Sequence, residues 1–312
     1  MEIMSNVPNA ITVSWALTSN CNYACWYCHP TFHDNKNGFP DYKKAIKFVK
    51  TLKEQHPSLI FIELVGGEPS LWPKLIDFCK EVSALDNIVL QIGTNLSRTT
   101  RYWQHFAEQN LENNVLFEVS HHSKLSDDEL FFENLKILSQ KHYVNVSFML
   151  DVEYCEKSIN LYNKIIKENL NISGRFKPLR SIDGHNDGQF AQQYREYHYD
   201  IIKNLKLNNS NDVNVPELPE KVFYLNNGNK VSVDLPSLIV DKKNSYLGWK
   251  CAAGSKRFVI ESNGNIMPCG FVHQSLGNIN QGNFQMLDDY ITCSINYCNC
   301  LYDVNTHKFF QG

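Results

Sequence analysis

Residues 21–28 read C-N-Y-A-C-W-Y-C, so three cysteines lie within eight residues at the spacings C-x3-C-x2-C. The segment before them, residues 11–17 (I-T-V-S-W-A-L), is apolar and β-branched, which predicts a buried strand. The cysteines therefore begin on the loop that leaves a strand, where the sites of α/β folds are built. Three thiols at this spacing suit a metal centre, whereas a disulfide framework needs an even number along a short secreted chain.

Two kinds of metal centre fit these cysteines. Zinc would take a fourth ligand, and His29 is the adjacent residue. A [4Fe–4S] cluster is also held by thiolates, and with only three of them one iron keeps an open coordination position. The cysteines alone favour the iron–sulfur cluster modestly over zinc.

A glycine-rich motif follows the next predicted strand. Residues 59–65 (L-I-F-I-E-L-V) read as that strand and run directly into Gly66-Gly67-Glu68-Pro69. Paired glycines let a ligand approach the backbone closely, and a carboxylate pairs with an ammonium group.

Together the two motifs resemble the radical S-adenosylmethionine (radical SAM) superfamily, in which C-x3-C-x-Φ-C carries an aromatic Φ, here Tyr27, and a GGEP motif holds the SAM amino group. The resemblance implies that Cys21, Cys25 and Cys28 ligate three irons of a [4Fe–4S] cluster while SAM chelates the fourth. One electron would then cleave SAM to methionine and a 5′-deoxyadenosyl radical, which abstracts hydrogen from a substrate C–H bond. The resemblance also implies an electron donor of the flavodoxin or ferredoxin type.

The chain has 312 residues, of which 43% are hydrophobic and 20% charged, as in an ordinary globular protein. Its net charge of −3 gives no basic field, so neither nucleic acid nor a membrane is predicted as a partner. Residues 1–10 lack a signal sequence, and no run is long enough to cross a membrane. We expect a cytoplasmic protein whose ten cysteines serve metal or redox chemistry.

Strands and helices alternate through the first two thirds of the chain. The pattern predicts further strands at 87–92, 115–120, 143–150 and 172–179, and helices at 41–56, 74–84, 99–109, 126–140 (with Ser126 as its N-cap) and 155–168. Six strands alternating with helices indicate a parallel sheet, open or closed into a partial barrel. The resemblance implies the second, a (β/α)6 partial TIM-like barrel within residues 1–206.

The composition and the hydrophobic pattern change after residue 206. Residues 207–250 are expected to form a linker and β-hairpin region, with an Asn-rich segment at 208–214 and a hairpin of 222–225 with 231–233. A second hairpin, 258–261 with 266–267, turns at Asn263-Gly264 within a small β-rich module at 251–312.

Five cysteines belong to this last module: Cys251, Cys269, Cys293, Cys298 and Cys300. A structural zinc site or scattered thiols are the simpler explanations. However, Cys251-x12-Gly264-x4-Cys269 resembles the opening of the SPASM/twitch extension of some radical SAM enzymes. A full SPASM module has seven cysteines, so five imply the shorter twitch type with one auxiliary [4Fe–4S] cluster. Cys251 and Cys269 are its expected ligands, completed by two of the other three, with Cys298 and Cys300 preferred to Cys293.

Several polar residues stand at the ends of predicted strands. His121, His122 and Arg180 are weak catalytic candidates, because barrel sites form at the carboxyl ends of strands. Arg175 and Lys177 alternate along the sixth predicted strand, and Arg180 ends it. These three basic residues either form surface salt bridges or face the barrel mouth. The resemblance implies that Asn95 (in G-T-N-L, with Leu96 where Gly is usual) and Ser120 contact SAM. Cys79 and Cys155 fall within helical patterns and are read as buried thiols.

The predicted substrate is a small, carbohydrate-like molecule that undergoes net oxidation or rearrangement. The barrel begins near residue 10 and no leader-peptide-binding domain is visible, which favours a small molecule or a peptide delivered by a partner. Modification of a peptide or protein side chain is the alternative. A metal-stabilised binding protein without turnover is a more remote one.

Overall fold

The computed structural model describes residues 2–56, 58–111, 114–180, 190–208, 222–226, 229–233, 238, 242–298 and 300–311. The Asn-rich segment predicted at 208–214 lies almost wholly outside the described residues. No helix in the described part of the chain is long and apolar enough to cross a membrane.

The first half of the chain alternates strands and helices. Its elements are β1 (Glu2–Ser5), β2 (Ile11–Ala16), α1 (Tyr42–Gln55), β3 (Ile60–Val65), α2 (Leu75–Ser83), β4 (Ile88–Thr94), α3 (Thr100–Ala107), β5 (Val115–His122), α4 (Asp128–Ser139), β6 (Val144–Leu150), α5 (Cys155–Lys167) and β7 (Ser173–Pro178). Strands β2 to β7 are parallel neighbours in chain order. This confirms the predicted (β/α)6 core of a partial TIM-like barrel.

The second half adds short elements. They are α6 (Glu196–Asn204), β8 (Lys206–Leu207), β9 (Val222–Asn226), β10 (Asn229–Val233), β11 (Lys250–Cys251), β12 (Arg257–Ile260), β13 (Asn265–Met267), β14 (Gly277–Asn278), β15 (Asn283–Phe284), β16 (Ile291–Thr292), α7 (Leu301–Asn305) and β17 (Lys308–Phe309). Both predicted hairpins are present, as β9–β10 and β12–β13. Helix α6 was not predicted.

Two boundaries at the fourth predicted strand and its helix differ from the sequence prediction. Strand β5 continues through His122, so His121 and His122 are strand residues and do not follow the strand. The N-cap of α4 is Asp127, not Ser126, because the Asp127 carboxylate accepts hydrogen bonds from the backbone N–H groups of Glu129 and Leu130 at 3.1 Å. A carboxylate there satisfies N–H groups that the helix leaves unpaired and faces its positive end.

The two faces of the large sheet differ in chemistry, because successive side chains of a strand point to opposite faces. One face packs against the helices and is apolar; it includes Val13, Ile62 and Phe117, and both Cys79 and Cys155 are buried in the same core. The opposite face, which we call the inner face, carries the polar residues Ser14, Glu63, Gln91, Glu118, Ser120, Asn145, Ser147 and Lys177.

The C-terminal region joins the barrel through strand pairing. Strand β12 pairs in parallel with β2, with Arg257 opposite Thr12 and Ile260 opposite Trp15. The large sheet therefore has eleven strands, in the order β15-β14-β13-β12-β2-β3-β4-β5-β6-β7-β8. A second sheet, β10-β9-β1-β17-β11-β16, is antiparallel and places the N-terminal β1 among C-terminal strands.

The C-terminal helix α7 lies against the inner face. The Tyr302 ring packs on Phe61 with centroids 5.4 Å apart, and its hydroxyl donates to Gln91 Oε1 at 2.9 Å. Asp303 accepts from Arg257 Nε at 2.7 Å, and both side chains are almost fully buried. Because a buried charge is costly unless it is paired, this ion pair fixes α7 to β12 and hence to the barrel.

We expect Arg257→Met to lower the free energy of unfolding by about 3–5 kcal/mol, because it leaves the Asp303 carboxylate buried without its cation. Urea unfolding of the metal-free protein measures this change. Lys47→Met on α1 removes an exposed cation and serves as the matched control, with an expected change within about 0.5 kcal/mol. Equal effects of the two substitutions would contradict the role given to the ion pair.

Candidate active site

The cysteine motif lies on the loop after β2, with its thiols largely withdrawn from solvent. Cys25 is buried and Cys21 and Cys28 are half-buried. Burial, together with the neighbouring thiols, raises the pKa of Cys25 to about 12 and that of Cys28 to about 11. Thiols held in this way ionise when a metal supplies positive charge.

The cysteine loop is anchored to the ends of β5 and β6. The Tyr27 hydroxyl lies 2.6 Å from His122 Nδ1, and Cys25 Sγ lies 3.4 Å from the same nitrogen. Burial lowers the pKa of His122 to about 4 and raises that of Tyr27, which favours a hydrogen bond between a neutral imidazole and a protonated hydroxyl group. Trp26 donates from Nε1 to Asp151 Oδ2 at 3.0 Å.

The two histidines of β5 occupy different environments. His122 faces the cysteine loop, as described above. His121 points to the helical side, where it is fully buried between Phe131 and Phe148 and pairs with Asp128 through Nε2 at 2.9 Å. The two histidines lie on opposite sides of the sheet because successive side chains of a strand point to opposite faces. We therefore withdraw His121 as a catalytic candidate, because its contacts are those of a core histidine.

The paired glycines bring two loops into backbone contact. Gly66 has φ +115°, and a Cβ there would lie 2.6 Å from Thr18 O. A Cβ on Gly67 would lie 2.0 Å from Asn20 O. The Gly67 and Glu68 N–H groups donate to those same two carbonyls at 2.8 Å. The glycines are thus required where the loop after β3 meets the start of the cysteine loop.

Glu68 connects the ends of β3 and β4. Its carboxylate is almost fully buried and accepts from Ser70 N at 3.0 Å, Thr94 Oγ1 at 2.7 Å and Asn95 N at 2.7 Å. Burial raises the pKa of Glu68, and these hydrogen bonds oppose the rise. A carboxylate has about four acceptor sites, so about one remains for a ligand such as an ammonium group.

The loop after β4 completes this end of the barrel. Asn95 Nδ2 donates to Asn22 Oδ1 at 3.0 Å, which joins the loop to the cysteine motif. Leu96, where the family pattern has Gly, is buried with φ +57°, a left-handed conformation that explains why Gly is usual there. Ser120 lies half-buried on the inner face of β5, two residues before His122. Thr94 and Asn22 contribute to the site but were not predicted.

Arg175 and Lys177 of β7 share the inner face but differ in exposure. Lys177 faces inward and pairs with Glu118 at 3.0 Å. Arg175, two residues earlier, is exposed, and Arg180 follows the strand half-buried at its carboxyl end. Pro69 begins the short 3-10 helix Pro69–Leu71 and is buried.

The C-terminal cysteines fall into two neighbouring groups and one separate thiol. Cys251 and Cys269 share a small core, Cys293 and Cys298 share another, and Ile295 packs against both. Cys300 instead packs beside the inner face, where Arg257 Nη2 donates to its Sγ at 3.8 Å. This grouping favours Cys293 over Cys300 as a ligand of the expected auxiliary cluster, whereas the spacing in the sequence favoured Cys300.

The described residues contain no group of three or more His, Cys, Asp or Glu side chains arranged around one metal ion. An iron–sulfur cluster differs in this respect, because each thiolate binds a different iron. The three thiols of the first motif lie on one loop and affect one another's pKa, and three thiolates without a fourth ligand fit a cluster better than a zinc ion.

The comparisons with known proteins agree with this geometry. An α/β partial barrel with a three-cysteine loop at its carboxyl end defines a class of cluster-binding barrel proteins. Residues 15–165 of the chain match the model of the radical SAM superfamily. Its members are enzymes that use a [4Fe–4S] cluster and SAM.

Solved structures show a similar fold. The structure titled "Native anSMEcpe with bound AdoMet and Kp18Cys peptide" is 18% identical with a TM-score of 0.55, over 87% of this chain and 78% of that one. Streptococcus suis SuiB bound to precursor peptide SuiA is 17% identical with a TM-score of 0.51, over 88% of this chain and 64% of SuiB. No curated protein matches the sequence.

We expect Gly67→Ala to weaken SAM binding at least about tenfold, because its Cβ forces the GGEP loop away from Asn20. Gly38→Ala is the matched control, since a Cβ at Gly38 meets no atom within 4 Å. Equilibrium dialysis of reconstituted protein against SAM measures both. Unchanged binding in Gly67→Ala would show that this loop contact does not shape the SAM site.

Proposed function

We propose that the protein cleaves SAM reductively at a cluster held by Cys21, Cys25 and Cys28, and uses the 5′-deoxyadenosyl radical to abstract hydrogen from a substrate in the barrel. The main support for this proposal is that the loops after β2, β3 and β4 meet at the carboxyl end of the parallel sheet. The family match supports the same reading.

Different residues of the chain have different roles in this site. When bound, the cluster supplies one electron to SAM. The buried thiols hold it, and the Tyr27–His122 hydrogen bond fixes the loop that carries them. Glu68, Asn95 and the two glycines position the backbone next to the SAM site, and Ser120 lies below it on the inner face. Pro69 and Tyr27 act by shaping these loops.

The proposed substrate is a small polar molecule of carbohydrate type, which undergoes net oxidation or rearrangement. The inner face supports this class because it carries carboxylate, amide, hydroxyl and ammonium groups that pair with hydroxyl groups. Glu118 and Lys177 keep 21% and 35% of their side-chain exposure, so space remains beside them. Arg180 at the rim stays a weak candidate for substrate contact.

A peptide side chain is the second candidate substrate. The titles of the anSMEcpe and SuiB structures name bound peptides, and those proteins share the fold at 17–18% identity. A carbohydrate panel and a peptide panel, each followed by mass spectrometry of products, separate the two candidates. The electron donor proposed here is a flavodoxin or ferredoxin.

We further propose one auxiliary [4Fe–4S] cluster bound by Cys251, Cys269, Cys293 and Cys298. Their common packing around Ile295 supports this set. The division into a core (1–206), a hairpin region (207–250) and a cluster module (251–312) also remains a proposal, since β1 and β12 each pair across it.

We expect the anaerobically reconstituted protein, given SAM and dithionite, to form 5′-deoxyadenosine, detected by mass spectrometry. The triple substitution of Cys21, Cys25 and Cys28 by Ala abolishes this product, because SAM loses its cluster. Cys79→Ala removes a thiol in the α2 core and is the matched control that keeps the product. Equal cleavage by the triple variant would refute the proposed function.

We expect about eight irons per reconstituted wild-type chain, four for each cluster. Cys298→Ala lowers the count to about four, whereas Cys300→Ala leaves about eight, because Cys300 lies outside the group around Ile295. Colorimetric iron analysis with protein quantification gives the numbers. A wild-type count near four excludes the auxiliary cluster, and a count near four in Cys300→Ala excludes the ligand set.

A further inference from the structure

Two carboxylates of the inner face, Glu63 on β3 and Glu118 on β5, stand close enough for their charges to interact. Gln91 lies on the strand between them, in register with Glu63. Neither carboxylate belongs to the cysteine or GGEP loops. Their surroundings differ, and the difference indicates separate tasks.

Glu118 is saturated with donors. Its Oε2 accepts from Asn145 Nδ2 at 2.5 Å, and its Oε1 accepts from Ser147 Oγ and from Lys177 Nζ at 3.0 Å. These groups all favour a negative charge, and Lys177 supplies the compensating cation. Glu118 is therefore held as an ionised carboxylate with both oxygens occupied.

Glu63 has far fewer partners. Its Oε2 accepts one hydrogen bond, from Ser14 Oγ at 2.6 Å, and no described residue hydrogen-bonds to Oε1. Ser14 in turn accepts from Arg257 Nη1 at 2.9 Å, so the hydroxyl is oriented toward the carboxylate. The side chain lies half-buried on the inner face, with Oε1 as its one carboxylate oxygen without a described donor.

The charges around Glu63 come from several elements. Arg257 on β12 and Lys177 on β7 favour the ionised form of Glu63. Glu118 on β5 and Cys300 before α7 disfavour that form, because their own ionised forms are negative. Burial is the largest influence and raises the pKa of Glu63. The pKa of Glu118 is lowered, because Lys177 and the bonds from Ser147 and Asn145 outweigh burial. Paired carboxyl groups with opposite shifts are typical of acid–base pairs.

We propose that Glu63 is the proton-exchanging residue of the barrel, with Oε1 accepting the hydrogen of a substrate hydroxyl group, and that Glu118 and Lys177 form the fixed ionic anchor opposite it. This inference rests on the proposed function only in taking the barrel as the substrate site. The proton moves from the substrate hydroxyl oxygen to Glu63 Oε1 and leaves an alkoxide.

The test follows the protonated-carboxyl infrared band of the reconstituted protein as a function of pH. We expect a band that titrates well above the ordinary pKa of glutamate, about 4.3. Because burial also raises the pKa of Glu68, the band followed is the one that persists in Glu68→Gln. Glu63→Gln removes this band, and Glu118→Gln keeps it but moves its titration to lower pH, because a neighbouring negative charge is gone. Loss of the band in Glu118→Gln, or its persistence in Glu63→Gln, overturns the assignment.

Two further variants keep the test decisive. Ser14→Ala removes the one donor to Glu63 and moves the titration to higher pH, which covers the case in which Glu63→Gln fails to fold. Glu108→Gln changes an exposed glutamate and leaves the band unchanged. Wild-type SAM cleavage is measured on the same preparation. Its absence would refute the proposed function, whereas a wild-type spectrum without the band would refute the role of Glu63.

Discussion

The contact between the backbone of Gly66-Gly67 and the carbonyl groups of Thr18 and Asn20 is the constraint on which the functional end of this protein depends. It sets the distance between the GGEP loop and the cysteine loop, and no residue with a Cβ fits at Gly67. Glu68 then extends the arrangement to the end of β4 through Thr94 and Asn95. Motifs far apart in the chain are thereby held as one unit by main-chain hydrogen bonds, which tolerate little displacement.

The C-terminal part of the chain covers the opposite end of the barrel. Strand β12 lengthens the sheet beyond β2, and α7 lies against the inner face through Tyr302 and the buried Arg257–Asp303 pair. Arg257 contacts Ser14 of the barrel and Cys300 of the C-terminal region at the same time. Arg257 therefore links the barrel interior directly to the segment that precedes α7.

Polar residues inside a sheet usually require an explanation, because burying them is costly unless they are hydrogen-bonded. Here most are paired, as Glu118 is with Lys177, Asn145 and Ser147. Among the described residues Glu63 has one donor, Ser14, which leaves its second carboxylate oxygen without one. An inner face that carries both a fixed ion pair and a less fully hydrogen-bonded carboxylate is consistent with the small polar substrate proposed above.

The amino-acid sequence by itself determined the alternating strands and helices, the two hairpins, and the motifs Cys21–Cys28 and Gly66–Pro69, because each depends on local spacing and periodicity. It predicted the elements β2 to β7 within a few residues, but extended α4 to Ser126 and ended β5 before its histidines. Only the tertiary structure decided that β12 joins β2, that His121 and His122 face opposite sides, and that Cys300 packs beside the inner face. These features depend on contacts between residues distant in the chain, which local patterns do not encode.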